Sequence, residues 1–248
     1  MRLENKVAIV TGASSGIGAV TAELFAAQGA SVVLVARRIE KLNQVANNIR
    51  NKNGTVKVIQ ADVTSEDECK RIISETIDEF GHLDILVNNA GIADKHMPIT
   101  KCSTEWWNEV ILVDQTSVFY LTKAALANMT KGSIVNISSI GGVFGSAGIS
   151  YSAAKSALIG MTKNIAIQYA GKGIRCNAVC PGPTPTELNT PEKLATFDEF
   201  AAQCAKHMNM GLPHTTAEQQ AQSILFFASD ESEGVTGQIL VVDNGITL

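Results

Sequence analysis

The sequence predicts a single-domain α/β fold, a doubly wound parallel sheet of seven strands with helices on both faces. Three observations lead there. Short β-branched runs alternate with longer helical stretches along all 248 residues, the pattern of successive βαβ units with right-handed crossovers. Some runs, such as Val32-Val33-Leu34-Val35, are apolar at every position, as strands covered on both faces must be. A glycine-rich turn stands between the first strand and the first helix.

Taken in order, residues 6–11 read as the first strand and residues 16–28 as the first helix, stopped by Gly29. Residues 31–36 form the second strand, followed by a polar helix to about Lys52. Five more strands are expected at 55–61, 83–88, 133–138, 174–180 and 238–242, each flanked by helical sequence. No repeat, low-complexity tract or linker divides residues 1–248. One segment breaks the rhythm: after Pro181, residues 187–212 form an insertion before a helix near 216–229. An insertion of that length in a compact domain points to a lid or binding loop. Within it Leu194, Phe197, Phe200, Cys204 and Met208 recur at helical spacing as one apolar stripe.

Composition excludes several classes. Lys+Arg 20 against Asp+Glu 24 gives a net charge of −4, the wrong sign for non-specific attraction to nucleic acid or anionic membrane. No apolar run approaches the roughly 18 residues of a membrane span. The first residues lead straight into a strand without a signal-peptide core, so a cytoplasmic location is expected. Five scattered cysteines without a Cys-x-x-Cys pair, and four widely spaced histidines, suggest a reduced protein with no metal site.

The turn Thr11-Gly12-Ala13-Ser14-Ser15-Gly16-Ile17-Gly18 opens the first helix. A dinucleotide pyrophosphate fits against backbone N–H groups at the positive end of a helix, provided no Cβ intrudes. Further along, Tyr151 and Lys155 stand one helical turn apart and share a face. Of the other two tyrosines, Tyr120 and Tyr169 have Ala124 and Gly173 at the corresponding position. A free phenol titrates near 10, but an adjacent ammonium favours the phenolate and brings it within reach of proton transfer.

The Thr-Gly-x-x-x-Gly-x-Gly spacing resembles that of the short-chain dehydrogenase/reductase family. The resemblance extends over nearly the whole chain: Asp62 after the third strand, Asn88-Asn89-Ala90-Gly91 after the fourth, Tyr151-x-x-x-Lys155, and Pro181-Gly182 leading to Thr186. It implies a Rossmann-like domain that moves hydride between a nicotinamide cofactor and an alcohol or ketone. Gly12, Ser14, Ser15, Gly16, Ile17 and Gly18 would then hold the pyrophosphate, Asp62 and Val63 flank the adenine, and Asn89 and Gly91 border a ribose. Thr184 and Thr186 would meet the nicotinamide amide and the phosphates, and Lys155 would hold the nicotinamide ribose as well as serve Tyr151. An oligomer, commonly a tetramer, is also implied.

The end of the second strand distinguishes the cofactors. A carboxylate about 20 residues past the glycines would bind the adenosine ribose of NAD, but the chain has Ala36-Arg37-Arg38. Two guanidiniums suit a 2′-phosphate, so NADP(H) is preferred. In many NADP(H) enzymes of the family the position of Ser15 is basic; here it is neutral, which leaves NAD(H) open.

For the catalytic hydroxyl, counting from the strand selects Ser139, whereas counting back from Tyr151 selects Ser138. A one-residue deletion near 148–150 reconciles the counts in favour of Ser139. The family's usual Asn in a Val-Asn-x-x-x-Val-Phe stretch is Asp114 here. Ionised, it would partly cancel the field of Lys155 and raise the pH needed for alcohol oxidation. The apolar insertion suggests a hydrophobic secondary alcohol or ketone, such as a hydroxysteroid or bile acid. The alternatives are a 3-oxoacyl group on acyl carrier protein and, in a different class, a non-catalytic nucleotide-sensing regulator.

Overall fold

The computed structural model describes residues 1–92, 95–187 and 190–248. These form one sheet of seven parallel strands in the order β3-β2-β1-β4-β5-β6-β7. The strands are β1 (Val7–Thr11), β2 (Ser31–Ala36), β3 (Val56–Gln60), β4 (Ile85–Asn88), β5 (Gly132–Ile137), β6 (Ile174–Pro181) and β7 (Ile239–Val242). The predicted strands match these to within a residue or two. Between them lie α1 (Gly16–Ala27), α2 (Ile39–Asn51), α3 (Glu66–Phe80), α4 (Thr104–Ile111) and α5 (Ser117–Leu126). Beyond β5 come α6 (Ile140–Phe144) and α7 (Ile149–Gln168), then α8 (Pro191–Leu194), α9 (Phe200–Ala205) and α10 (Ala217–Ala228).

The inner strands β1, β2 and β4 are largely apolar because each serves two cores. On one face Ala8, Val10, Val32, Leu34, Ile85 and Val87 pack against Phe25 of α1, Leu42 and Ile49 of α2 and Ile224 of α10. On the other, Ile9, Val33, Val35 and Leu86 meet Ile72 and Ile73 of α3, Leu121 of α5 and Ile165 of α7. Alternate side chains of a strand point to opposite faces, so both faces of these inner strands are mostly apolar.

The chain reverses direction of build between β1 and β4, and a crevice opens there beyond the carboxyl ends of the strands. Thr11 and Asn89 hold its two lips together. The Thr11 hydroxyl accepts from the backbone N–H groups of Asn89 (2.9 Å) and Ala90 (3.0 Å), and the Asn89 amide donates to the Thr11 carbonyl (2.9 Å). Behind them Asn88 donates to Thr122 and Asn136, and Asn136 donates to Thr162. This buried polar chain has its partners in place, which ties α5 and α7 to the sheet in a single register.

Two features are not legible in the sequence. Between α4 and α5 the helix widens into a π-helical turn at Leu112–Thr116. The stripe from Leu194 to Met208 is not one continuous helix face. The described residues of the insertion fold as two short helices, so Leu194 faces solvent while Cys204 is buried. Positions 188 and 189 of that insertion lie outside the described residues. No described helix is long and apolar enough to cross a membrane.

Close helix contact fixes the placement of α7. A Cβ built on Gly142 of α6 would lie 2.6 Å from the Lys155 carbonyl carbon and 2.8 Å from its Cβ. Gly142→Ala should therefore push α6 from α7 and cost about 1–3 kcal/mol. A melting temperature lower by several degrees in thermal denaturation is the expected result, and an unchanged one would contradict the packing.

Candidate active site

At the mouth of the crevice, the turn after β1 needs glycine for two distinct reasons. Gly12 and Gly16 adopt φ of +64° and +56°, a region that strains side-chain-bearing residues. Gly18 is helical, but a Cβ there would fall 2.4 Å from the Asn89 amide nitrogen and 2.6 Å from the Gly12 carbonyl. Ser15 caps α1 by position without a side-chain bond to the helix. The first amides of α1 thus keep their donor capacity for an anion. Together these features leave a backbone-lined cradle that fits a dinucleotide pyrophosphate.

The cradle continues as a cleft across the ends of β1 to β4. Gly12, Ser14, Ser15, Gly16, Ile17, Arg37, Arg38, Asp62, Val63, Asn89, Gly91 and Thr186 all line it. Gly18 lies behind the cradle, where it allows α1 to pack against Asn89. Thr184 is not at the cleft. Its hydroxyl is buried with Thr215 (3.1 Å) and Gln220 (3.4 Å) and donates to the Gly182 carbonyl (3.0 Å). Asp62 serves its own turn as well, accepting from the amide and hydroxyl of Thr64.

The second half of the site gathers on α7. Tyr151 lies in its first turn, partly exposed, with Lys155 one turn on. The Lys155 ammonium sits 5.4 Å from the Tyr151 ring centre, donates to the Ile137 carbonyl at 3.2 Å, and pairs with Asp114 at 3.3 Å. Asp114 is 0% and Lys155 4% exposed, so this is a fully buried ion pair. The other carboxylate oxygen of Asp114 accepts from the Ile92 amide at 2.9 Å. Burial pushes the Lys155 ammonium toward neutrality, but Asp114 and Tyr151 act the opposite way and the net direction is upward. Lys155 is therefore held as a cation.

The two candidate serines have different surroundings. Ser138 is buried and donates to the Lys155 carbonyl at 2.7 Å. Ser139 caps α6, accepting from the Gly141 amide at 3.0 Å, and is partly exposed. A Cβ on Gly141 would come 3.4 Å from the Ser139 hydroxyl and 3.6 Å from the Tyr151 ring. The same Cβ would lie 2.9 Å from the Ala147 Cβ, so Gly141 lets α6 pack closely beside both groups. Beside α6, Phe144, Phe200, Gln203, Cys204, His207 and Met208 line a second cavity formed partly by the insertion. The segment after β4 is tied to that insertion: the His96 ring lies against Phe197 (4.4 Å) and Lys101 pairs with Asp198 and Glu199.

Sequence reasoning missed two residues of the site. Lys41 and Glu187 form an ion pair at the Arg38 end of the cleft. The Arg37-Arg38 cluster could have pointed to Lys41, one turn further along α2; nothing local pointed to Glu187.

A family model described as enoyl-(acyl carrier protein) reductase matches residues 12–247. The chain is 40% identical to a 3-oxoacyl-[acyl-carrier-protein] reductase of Thermotoga maritima, covering 100% of both proteins. It is 36% identical to a 7α-hydroxysteroid dehydrogenase of Bacteroides fragilis, covering 100% of this chain and 96% of that one. A solved dehydrogenase/reductase from Sinorhizobium meliloti superposes with a TM-score of 0.90 at 30% identity, covering 99% of this chain and 96% of the other.

The buried pair has a pH signature. The raised pKa of Lys155 adds stability that is present in full below the unfolded value near 10.5 and lost as pH climbs through the folded one. In Asp114→Asn, burial acts on Lys155 without its chief counter-charge, and breaking such a pair costs about 3–5 kcal/mol. The variant should melt on the order of 10 °C lower at neutral pH, with the gap to the parent narrowing above pH 10. A constant gap across that range would contradict the pairing.

Proposed function

The chain belongs to the short-chain dehydrogenase/reductase family, and on that premise we propose that it interconverts a hydrophobic secondary alcohol and its ketone with NADP(H). It is an NAD(P)-dependent oxidoreductase by family and fold; the substrate class and the cofactor preference are our reading. The observation that carries the chemistry is Tyr151 set one helical turn before a buried, charged Lys155.

A nicotinamide dinucleotide held along the cleft would supply or accept the hydride. Gly12, Ser14, Ser15, Gly16, Ile17, Asp62, Val63, Asn89, Gly91 and Thr186 would hold it. In ketone reduction the Tyr151 hydroxyl gives its proton to the substrate oxygen; in alcohol oxidation the phenolate takes that proton back. Lys155 stabilises the phenolate through its field, and Asp114 keeps Lys155 charged as a positioning residue. The partly exposed Ser139 hydroxyl, close to Tyr151 beside Gly141, orients the substrate oxygen. Ser138, committed to the Lys155 carbonyl, holds α7 in place.

Arg37 and Arg38 at the cleft support NADP(H) over NAD(H). Phe144, Phe200 and Met208 around the second cavity support a hydrophobic substrate such as a hydroxysteroid or bile acid, the class named for the Bacteroides relative. A second reading, reduction of a 3-oxoacyl thioester on acyl carrier protein, draws on the Thermotoga relative. Against it, Lys101 is already neutralised by Asp198 and Glu199, which leaves less positive charge for an acidic carrier. Exposed Phe119 on α5 and Ile167 on α7 suit a homo-oligomeric interface.

Nicotinamide absorbance, followed with NADPH and a panel of oxosteroids and, separately, an acetoacetyl thioester, tests the substrate class. Tyr151→Phe should lower kcat/KM about 10²–10⁴-fold while cofactor binding, read by fluorescence, is retained. Continued turnover at the parent rate would overturn the proton-transfer assignment. In the same assay Ser139→Ala should lose turnover, with about 0.5–2 kcal/mol of stability lost with the α6 cap. Ser138→Ala should instead lose about 1–3 kcal/mol of stability and keep most of its rate; the reverse pattern would exchange the two roles.

A further inference from the structure

The Arg38 end of the cleft holds an anion of the protein's own. Arg38 stands at the start of α2 and Lys41 lies in its first turn. The Arg38 guanidinium donates to the hydroxyls of Ser14 (2.8 Å) and Ser15 (2.7 Å), which fixes it against the pyrophosphate turn. Its Nη1 reaches Glu187 at 2.8 Å, and Lys41 bonds the other oxygen of the same carboxylate. Glu187 follows Thr186 at the exit of β6, so it also marks the beginning of the insertion. All three side chains are roughly half exposed, at 49% for Arg38, 40% for Lys41 and 43% for Glu187, so dissolved anions can reach the cluster.

We propose that Glu187 is a cofactor-specificity residue, an internal substitute for the 2′-phosphate of NADP(H) that occupies the Arg38–Lys41 cation pair and must be displaced before the phosphate can bind. The inference rests on the reading of this cleft as a site for NADP(H). A carboxylate and a phosphate monoester ask the same of these donors, a planar fork from arginine and a point charge from lysine. They cannot share them without two anions in contact. Lys41 thereby joins Arg37 and Arg38 as a phosphate-binding cation. Lys41 and Arg38 hold the Glu187 carboxyl down at about 2, so it is ionised across the whole neutral range and the competition does not lapse with pH. NAD(H), which ends there in a neutral hydroxyl, leaves the pair closed. NADP(H) opens it and frees the first residue of the insertion. Discrimination is set by the difference between what the two cations gain from phosphate and what they give up with Glu187.

Calorimetric titration of the full-length protein with 2′,5′-adenosine bisphosphate and with 5′-AMP reads this without catalysis. In Glu187→Gln the bisphosphate should bind about fivefold tighter, in line with the loss of two half-exposed ion pairs, while 5′-AMP changes little. The gain should shrink at high salt. Lys41→Met should weaken the bisphosphate alone. If Glu187→Gln leaves the bisphosphate unchanged, or shifts both ligands equally, the proposal is overturned. The parent protein separates the two readings. A parental preference for the bisphosphate with no gain in Glu187→Gln leaves the NADP(H) reading standing and removes the role of Glu187. A preference that emerges only in Glu187→Gln supports that role and makes the parent an NAD(H) enzyme. No preference in either protein overturns both.

Discussion

A lysine ammonium buried beneath a tyrosine is the constraint around which this site is arranged. Taking a charge out of water costs several kcal/mol even after relaxation, and an isolated lysine in that position would shed its proton. Asp114 prevents this from 3.3 Å away, and the Ile137 carbonyl takes another of the ammonium's hydrogens. The carboxylate is itself steadied by the Ile92 amide. Three separate stretches of chain, after β4, in the π turn and at the end of β5, thus converge on one charge. Small residues make room for the convergence. A Cβ on Gly91 would lie 3.2 Å from Asp114 and 3.4 Å from the Lys155 nitrogen.

The cofactor half depends on a different kind of order. There the donors are mostly backbone, and a backbone donor can be aimed only by holding the chain. The Thr11–Asn89 bonds join the ends of β1 and β4, the two strands between which the sheet changes its direction of winding. Asn88 and Asn136 extend the hold to the helices behind. The paired asparagines at the end of β4 thus divide their work: one locks the interior, the other closes the crevice.

Much of this is legible in the chain itself. Strands buried on both faces leave uninterrupted apolar runs, and a turn that must accept a phosphate leaves glycines where any Cβ would collide. Tyr151 and Lys155 are readable because a helix brings the fourth residue back to the same face. The choice of Ser139 over Ser138 is supported once it is seen that the Ser138 hydroxyl is already spent on Lys155. What stayed hidden depends on distance along the chain or on local irregularity. Glu187 meets Arg38 across 149 positions, and no periodicity records such a pair. Thr184 follows the expected motif, yet its hydroxyl turns inward to Thr215 and Gln220. The apolar spacing from Leu194 to Met208 suggested one helix, but the chain bends between α8 and α9 and sends Leu194 outward.

The π turn at Leu112–Thr116 has a consequence for how this chain tolerates change in length. A π turn holds one more residue than the α turn it replaces, and each residue of a regular helix advances the next by about 100°. Deleting one residue there would let α4 run smoothly into α5, an apparently gentle repair. The same repair would swing whichever residue then stood at position 114 around the helix axis and away from the lysine. The irregularity is what aims the carboxylate, and a straighter helix would be a poorer protein.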